Sequence, residues 1–220
     1  MTPLLALALS TAALDAQYFQ RDRPGALDAN IAALASAPAD AEHLWRLCRA
    51  LIRRGERAKS SKDFESARRR CEESVALDSK TADAHFWLGV AMARYGEAKG
   101  ILRSLSLVKP IRAEMAKTLQ LDPKHGGAHQ VLGQVLWKLP RFAGGDKKKA
   151  LEEFETAVRL TPRHTANYVP LAEALVYFER REDALRVLDA ALKVTDPADP
   201  AAAPEHAAKA KALLEKLRTR

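Results

Sequence analysis

A pattern of small and apolar residues recurs along this chain, with an offset of 34 residues between its two clearest copies and longer offsets where units carry insertions between their two helices. Each copy is a set of four residues separated by four, three and three positions, and the clearest two copies are Ala150, Phe154, Ala157 and Leu160, then Ala184, Leu188, Ala191 and Val194. That spacing puts the four side chains on one face of an α-helix. Weaker copies begin at Ile111, Ala67 and Ala26. A period of this length predicts a stack of similar supersecondary units, each burying its apolar face against the next.

The junctions between these units also repeat. They read LDSKTADAHFWLG from Leu77, LDPKHGGAHQVLG from Leu121 and LTPRHTANYVPLA from Leu160. Each combines a helix end, a turn containing Ser or Pro that stops the helix, and a new helix in which Leu precedes Gly or Ala. The unit resembles the tetratricopeptide repeat (TPR), a helix-turn-helix of 34 residues. The predicted fold is therefore an all-α, TPR-type solenoid (superhelix) of helical hairpins, with a C-terminal capping helix that covers the last apolar face.

A coarse layout follows from the same signals. Hairpins are predicted at 41–57/62–77, 82–95/110–121, 126–139/146–160 and 165–180/182–194, with a helix at 24–36 before them and the capping helix at 205–218. One hairpin carries a hydrophobic insertion between its helices, ILRSLSLVKP at 101–110. Two interpretations stay open: the insertion folds back as a lip over a groove, or it extends the hairpin and packs on the next unit.

The N-terminus, MTPLLALALSTAALDAQ, contains an apolar stretch too short to span a bilayer, followed by small residues. Residues 1–16 are predicted to be a signal peptide or, alternatively, the first buried helix, and 17–220 a single domain. The expected location is periplasmic or secreted, with a cytoplasmic one as the alternative. Cys48 and Cys71 lie at small-residue positions of facing helices, where two buried thiols are favoured and a disulfide is the alternative if the protein is exported.

No catalytic arrangement, metal cluster or cofactor motif is evident. The net charge is +8, but the basic residues are spread along the chain without interleaved aromatics, so no nucleic-acid partner is predicted. The runs Arg68–Arg70 and Lys147–Lys149 are interpreted as solvated helix faces. His125 and His129 have a metal-like spacing, but packing is the preferred explanation. The run GGDK from Gly144 lacks phosphate-loop spacing, and Asp146 is expected to cap a helix.

A closer resemblance rests on Leu-Gly-Val at 88–90, Gly-Glu-Ala-Lys-Gly at 96–100, Ile-Arg after Pro110, Leu-Gly at 132–133 and Gly-Gly-Asp at 144–146. These features resemble the T component associated with periplasmic tripartite transporters, and they are similar to the regulator of microtubule dynamics family. The resemblance implies a repeat protein without catalytic activity. It also implies an apolar pore or a lipid-binding repeat domain.

First-helix positions of such repeats line the concave surface, which here is predicted to be apolar and aromatic with a cationic edge. The candidate groove residues are Trp45, Arg49, Ile52, Arg53, Phe86, Val90, Arg94, Gln134, Trp137 and Tyr177, with Leu105 and Leu107 added by the lip. The predicted function is non-enzymatic binding of a hydrophobic or lipid-like ligand, in one version beside a transporter and its periplasmic substrate-binding component. Its arginines would pair with an anionic head group. The alternative is a scaffold that binds an apolar peptide or helix of a partner protein.

Overall fold

Every regular element of the computed structural model, which describes residues 9–219, is helical. Eleven α-helices follow one another: α1 Thr11–Tyr18, α2 Ala26–Ser36, α3 Ala41–Ala58, α4 Ser61–Leu77, α5 Ala82–Lys99, α6 Ile101–Leu121, α7 Gly126–Lys138, α8 Lys147–Leu160, α9 Tyr168–Tyr177, α10 Arg181–Leu192 and α11 Ala203–Arg218. Short 3₁₀ turns lie at Arg141–Ala143 and Thr165–Asn167. The helices pack as consecutive antiparallel hairpins, which confirms the predicted all-α repeat architecture.

The helices α3 and α8 begin within one residue of their predicted starts, and polar side chains cap both. Asp40 accepts a hydrogen bond from the backbone N–H of His43 at 2.9 Å at the start of α3. Asp146 accepts from the N–H groups of Lys148 and Lys149, both at 3.1 Å, and so caps α8 as expected. Such caps satisfy donors that have no partner within the helix.

The chain forms two compact units, one reaching Leu107 and the other starting at Val108, with the division inside α6. The core of the first unit is built from α1 to α5 and includes Leu14, Tyr18, Leu51 and Ile52. The core of the second unit is built from α7 to α11 and contains the predicted repeat residues, among them Ala150, Phe154, Ala184 and Leu188. The capping helix is confirmed, since α11 packs against α10 and α9 and buries Ala210, Leu214 and Leu217.

The insertion at 101–110 does not leave the hairpin as a loop. It forms the first half of α6, which continues through Pro110 to Leu121. The turn from α5 needs one residue, Gly100, whose φ of +98° is unfavourable for a side chain. Leu107 reaches back to α5 at Gly96, where an added Cβ would lie 3.3 Å from its Cδ1. Of the two interpretations, extension of the hairpin is therefore the one that the structure has.

Cys48 of α3 and Cys71 of α4 form a disulfide, with a Cα–Cα distance of 5.6 Å. The preference for two free buried thiols was wrong. Both residues occupy small-residue positions at the contact between the two helices of one hairpin, and both are fully buried. That contact brings the two side chains close enough for a bond between their Sγ atoms, which the spacing along the sequence does not reveal.

The segment predicted as a signal peptide or first helix, residues 1–16, lies partly outside the described residues, which begin at 9. Its later part belongs to α1, whose Leu14 and Tyr18 are buried. Ser10 caps this helix by accepting from the N–H of Ala13 at 3.2 Å. Within residues 9–219, none of the helices combines the length and the hydropathy needed to cross a membrane.

Candidate functional site

Apart from Leu105 and Leu107 of α6, the predicted groove residues fall on two helix faces, one in each unit. In the first unit they lie on α3 and α5, and in the second on α7 and α9. These are called here the α3–α5 face and the α7–α9 face. The two faces differ in how much of their apolar surface the chain itself covers.

On the α3–α5 face, the apolar groove residues of α3 are covered by the protein. Trp45 is only 5% exposed and Ile52 only 1%. The indole N–H of Trp45 donates to a carboxylate oxygen of Glu42 at 3.1 Å. Ile52 belongs to the core of the first unit. Neither side chain presents free apolar surface to a ligand.

Arg49 meets a carboxylate from α1. Its Nη2 lies 2.5 Å from Oδ1 of Asp15, and Oδ2 of the same residue accepts from Nε of Arg46 at 3.0 Å. The guanidinium of Arg49 also stacks on the ring of Tyr18, 3.8 Å from its centroid. Burial lowers the pKa of Arg46, but the hydrogen bonds that its guanidinium donates to Asp15 and Glu42 raise this pKa by more. The net shift is upward, and the side chain stays charged.

The other two predicted groove arginines share one carboxylate. Arg53 lies 2.7 Å from Oε2 of Glu56, and Arg94 lies 2.8 Å from Oε1 of the same residue. Arg94 has a second partner in Glu97 at 3.0 Å. Both cations are therefore engaged within the chain, and an external anion would have to compete with Glu56.

Phe86 and Val90 of α5 are half-buried, and Phe86 meets Trp87 edge to face at 5.1 Å between ring centroids. Of the two leucines predicted to form the lip, Leu107 is buried while Leu105 is 45% exposed. The two leucines thus point to different sides of α6, and only Leu105 offers surface.

The α7–α9 face is open. Trp137 near the end of α7 and Tyr177 at the end of α9 meet edge to face, with 5.2 Å between ring centroids. Tyr177 is 58% exposed, and Trp137 is half-buried against Phe154. Gln134, one turn before Trp137, is half-buried on the same helix. This face therefore brings together three of the predicted groove residues and leaves aromatic surface exposed.

Lys147, the first residue of α8, places its ammonium group beside this aromatic pair. Its Nζ lies 3.9 Å from the ring centroid of Trp137 and 5.7 Å from that of Tyr177. It also donates a hydrogen bond to the backbone carbonyl of Trp137. No carboxylate within residues 9–219 forms an ion pair with it. We call Trp137, Tyr177 and Lys147 the aromatic–lysine cluster.

Lys147 was missed at the sequence level, where it belongs to a lysine run interpreted as a solvated face. Lys148 and Lys149 are exposed, as that interpretation predicts, while Lys147 is turned toward the rings. The short connection from Pro140 to Gly145 decides this, because it brings the start of α8 beside the end of α7. Its geometry is not encoded by the 34-residue repeat.

The histidines with metal-like spacing have separate structural tasks. Nδ1 of His125 accepts from the N–H of Ala128 at 3.1 Å and caps α7. Nδ1 of His129 lies 2.7 Å from Oε2 of Glu153 on α8. Across residues 9–219, no group of three potential ligands is placed to hold a metal ion.

Comparison with known proteins adds the family. The sequence model described as "Regulator of microtubule dynamics protein 1-3" matches residues 10–139, more than half of the chain. The chain belongs to this family. Regulator of microtubule dynamics protein 3 of Rattus norvegicus is 22% identical over 138 residues, which are 61% of this chain. The match spans only 29% of the length of the rat protein.

Solved structures agree on the fold of this regulator of microtubule dynamics family member. A thermophilic TPR protein of Thermus thermophilus is 20% identical and superposes with a TM-score of 0.67, covering 91% of this chain and 98% of its own. MamA of Desulfovibrio magneticus RS-1 is 17% identical with a TM-score of 0.52, covering 85% and 96%. The predicted TPR fold is thereby confirmed.

The family match covers the whole α3–α5 face but only the α7 part of the α7–α9 face. It includes all of α1 to α7, and with them the ion pairs of Asp15 and the side chain of Trp137. Lys147 and Tyr177 lie beyond it. The aromatic–lysine cluster of this regulator of microtubule dynamics family member thus combines one residue from the matched region with two from outside it.

Proposed function

We propose that this protein is a non-enzymatic binding module that holds a segment of a partner protein on its α7–α9 face. The bound segment would carry an apolar side chain next to a carboxylate. The observation that carries the proposal is Lys147, a cation held above two aromatic rings without a carboxylate partner in the described chain. A carboxylate added there gains a charge-assisted hydrogen bond, while the rings offer apolar contact.

The cluster contains both aromatic rings and a cation, which favours a peptide with an apolar and an acidic side chain over a purely apolar peptide. Tyr177 is largely exposed, and aromatic side chains are frequent anchors in protein interfaces. Lys147 is oriented by its hydrogen bond to the carbonyl of Trp137, so its position is set before a ligand arrives. A preorganised cation loses less entropy on binding than a free surface lysine.

Fluorescence polarisation with labelled peptide libraries tests the proposal. One library fixes a Leu beside an Asp, and the matched library replaces the Asp by Lys. The acidic library should bind, and Lys147→Ala and Tyr177→Ala should each weaken binding by about ten-fold or more, as expected for interface anchors. The matched controls are Lys149→Ala, two residues further along α8, and Phe142→Ala, an aromatic residue that is 94% exposed. Equal binding of both libraries, or equal loss in the controls, would refute the proposal.

A hydrophobic or lipid-like ligand, with a role beside a transporter, is the second candidate that the sequence suggested. The aromatic surface of Trp137 and Tyr177 would be its site in the second unit. Native mass spectrometry of the purified protein, followed by organic extraction, separates the two candidates. A stoichiometric apolar adduct that is lost in Tyr177→Ala would favour this ligand over the peptide.

The disulfide supports a proposal on location. Disulfides form and persist mainly in oxidising compartments, so we propose that the Cys48–Cys71 hairpin works in one, such as the periplasm or the extracellular space. Alkylation of free thiols in intact cells, before any reductant is added, tests this. Two alkylated cysteines in the isolated protein would place it in a reducing compartment instead.

A further inference from the structure

The first unit carries exposed apolar side chains where α5 turns into α6, and the proposed peptide site on the second unit does not involve them. Ile101 and Leu102, the first two residues of α6, are 76% and 82% exposed. Leu105 lies one turn further along and is also exposed. It shares one side of α6 with Ile101 and Leu102, because residues three and four apart are neighbours on a helix surface. Leu107 of the same helix is buried. Large aliphatic side chains exposed together mark an interaction surface more often than scattered ones do.

Cations gather next to this apolar tip. The charged groups of Arg68, Lys99 and Arg103 lie 5.1, 5.7 and 5.6 Å from the ring centroid of Tyr95. Arg68 is paired with Glu72 at 2.7 Å. Lys99 and Arg103 have no carboxylate partner anywhere in residues 9–219. The corner where α5 meets α6 therefore carries net positive charge beside exposed aliphatic surface.

From this combination we infer that the α5–α6 corner, defined by Tyr95, Lys99, Ile101, Leu102, Arg103 and Leu105, docks on an anionic membrane surface. The aliphatic side chains enter the boundary between head groups and acyl chains, while the two unpaired cations stay at the level of the phosphates. A tyrosine between them suits the same depth, because its ring is apolar and its hydroxyl is polar.

Charge complementarity distinguishes this occupant from the others. A two-fold contact between copies of the chain would bring Lys99 and Arg103 close to their own counterparts, which repel. A protein partner would need a preformed pocket that accepts the protruding Ile101 and Leu102, which are 76% and 82% exposed. A bilayer needs no pocket, since it deforms around a protruding side chain.

Vesicle co-sedimentation of the full chain tests the inference. Vesicles of phosphatidylcholine with about one third phosphatidylglycerol should bind the protein, and pure phosphatidylcholine should not. Added salt should weaken the binding, since it screens exposed charges. Lys99→Gln with Arg103→Gln should lower the partition coefficient about 25-fold, because each basic residue near an anionic surface contributes a factor of about five. The charge-matched control is Lys62→Gln with Arg69→Gln, two exposed cations of α4.

The apolar part is tested with Ile101→Ser and Leu102→Ser, against Leu77→Ser, which removes a leucine that is 60% exposed elsewhere in the same unit. Loss in the first two alone supports the inference, and circular dichroism checks that all variants fold. Absence of binding to anionic vesicles, equal binding to neutral ones or equal loss in the controls overturns it. So does a concentration-dependent dimer, seen by light scattering, that Leu102→Ser abolishes, because the corner is then a contact between copies.

Discussion

The replacement of Asp15 by Asn is expected to destabilise the packing of α1 on α3. The Asp15 carboxylate accepts from Arg49 at 2.5 Å and from Nη2 of Arg46 at 2.9 Å. Asn has nearly the same shape, but it carries no charge and turns an amide N–H₂ toward one of two guanidinium groups. The side chains of Arg49 and Arg46 are only 8% and 11% exposed, so water compensates poorly for the lost partner.

The size of the effect follows from what each arginine keeps. Removal of one partner from a fully buried ion pair typically costs about 3–5 kcal/mol, and a hydrogen bond to a charged group contributes about 1.5–3 kcal/mol. Arg46 retains Glu42 at 2.6 Å, and Asp15 itself is 24% exposed, which reduces the loss. Among the described residues, Arg49 would have no polar partner left and would keep its contacts with the rings of Tyr18, Phe19 and Trp45. The expected decrease in the free energy of unfolding is therefore about 2–3 kcal/mol, most of it from Arg49.

Urea denaturation followed by tryptophan fluorescence and circular dichroism measures this change. Trp45 is a local reporter, because the guanidinium of Arg46 lies 4.1 Å from its ring centroid. Asp22→Asn is the matched control, since it makes the same chemical change at an exposed residue near the end of α1. The difference between the two variants should persist in high salt, because buried pairs are weakly screened. A loss for Asp15→Asn no larger than that of the control would refute the assigned role of this ion pair.

Two further stability predictions concern the repeat contacts. Gly133→Ala should lower the free energy of unfolding by about 1 kcal/mol net, because the new Cβ would lie 2.6 Å from Cε1 of the buried Phe154. This overpacking outweighs the gain of about 1 kcal/mol in helix propensity. Urea midpoints measure the change, and a stabilised variant would contradict the prediction. Reduction of the Cys48–Cys71 disulfide, which joins residues 23 apart, should lower the free energy of unfolding by about 3 kcal/mol. Equal urea midpoints with and without dithiothreitol would show that the crosslink contributes little.

The helices could be predicted well because their ends depend on local chemistry. Asp40 and Asp146 cap helices by accepting from N–H groups two or three residues away. Pro162 follows the end of α8. The small residue at position 133 allows the close contact with Phe154 that the repeat requires. None of these features needs information from a distant part of the chain.

Whether each helix face is buried or exposed could not be predicted from such local signals. Trp45 and Trp137 were both predicted to line the concave groove, yet one is buried and the other borders an open aromatic surface. Lys147 reaches its place through a connection whose path lies outside the repeat. The disulfide required the actual distance between α3 and α4. Each of these depends on which side chains neighbouring elements bring into contact.

The two faces differ in which side chains the stacking of neighbouring hairpins brings together. Asp15 lies on the first helix of one hairpin, and Arg49 lies on the first helix of the next, 34 residues further along the chain. Stacking places these two helices side by side. Opposite charges there neutralise each other and close the face, as Asp15 and Arg49 do. Stacking brings Trp137 and Tyr177 together as well, but neither residue carries a carboxylate that could form an ion pair with a neighbouring cation. Their face stays open, and Lys147 has no carboxylate partner within the described chain, which is the basis of the proposed peptide site.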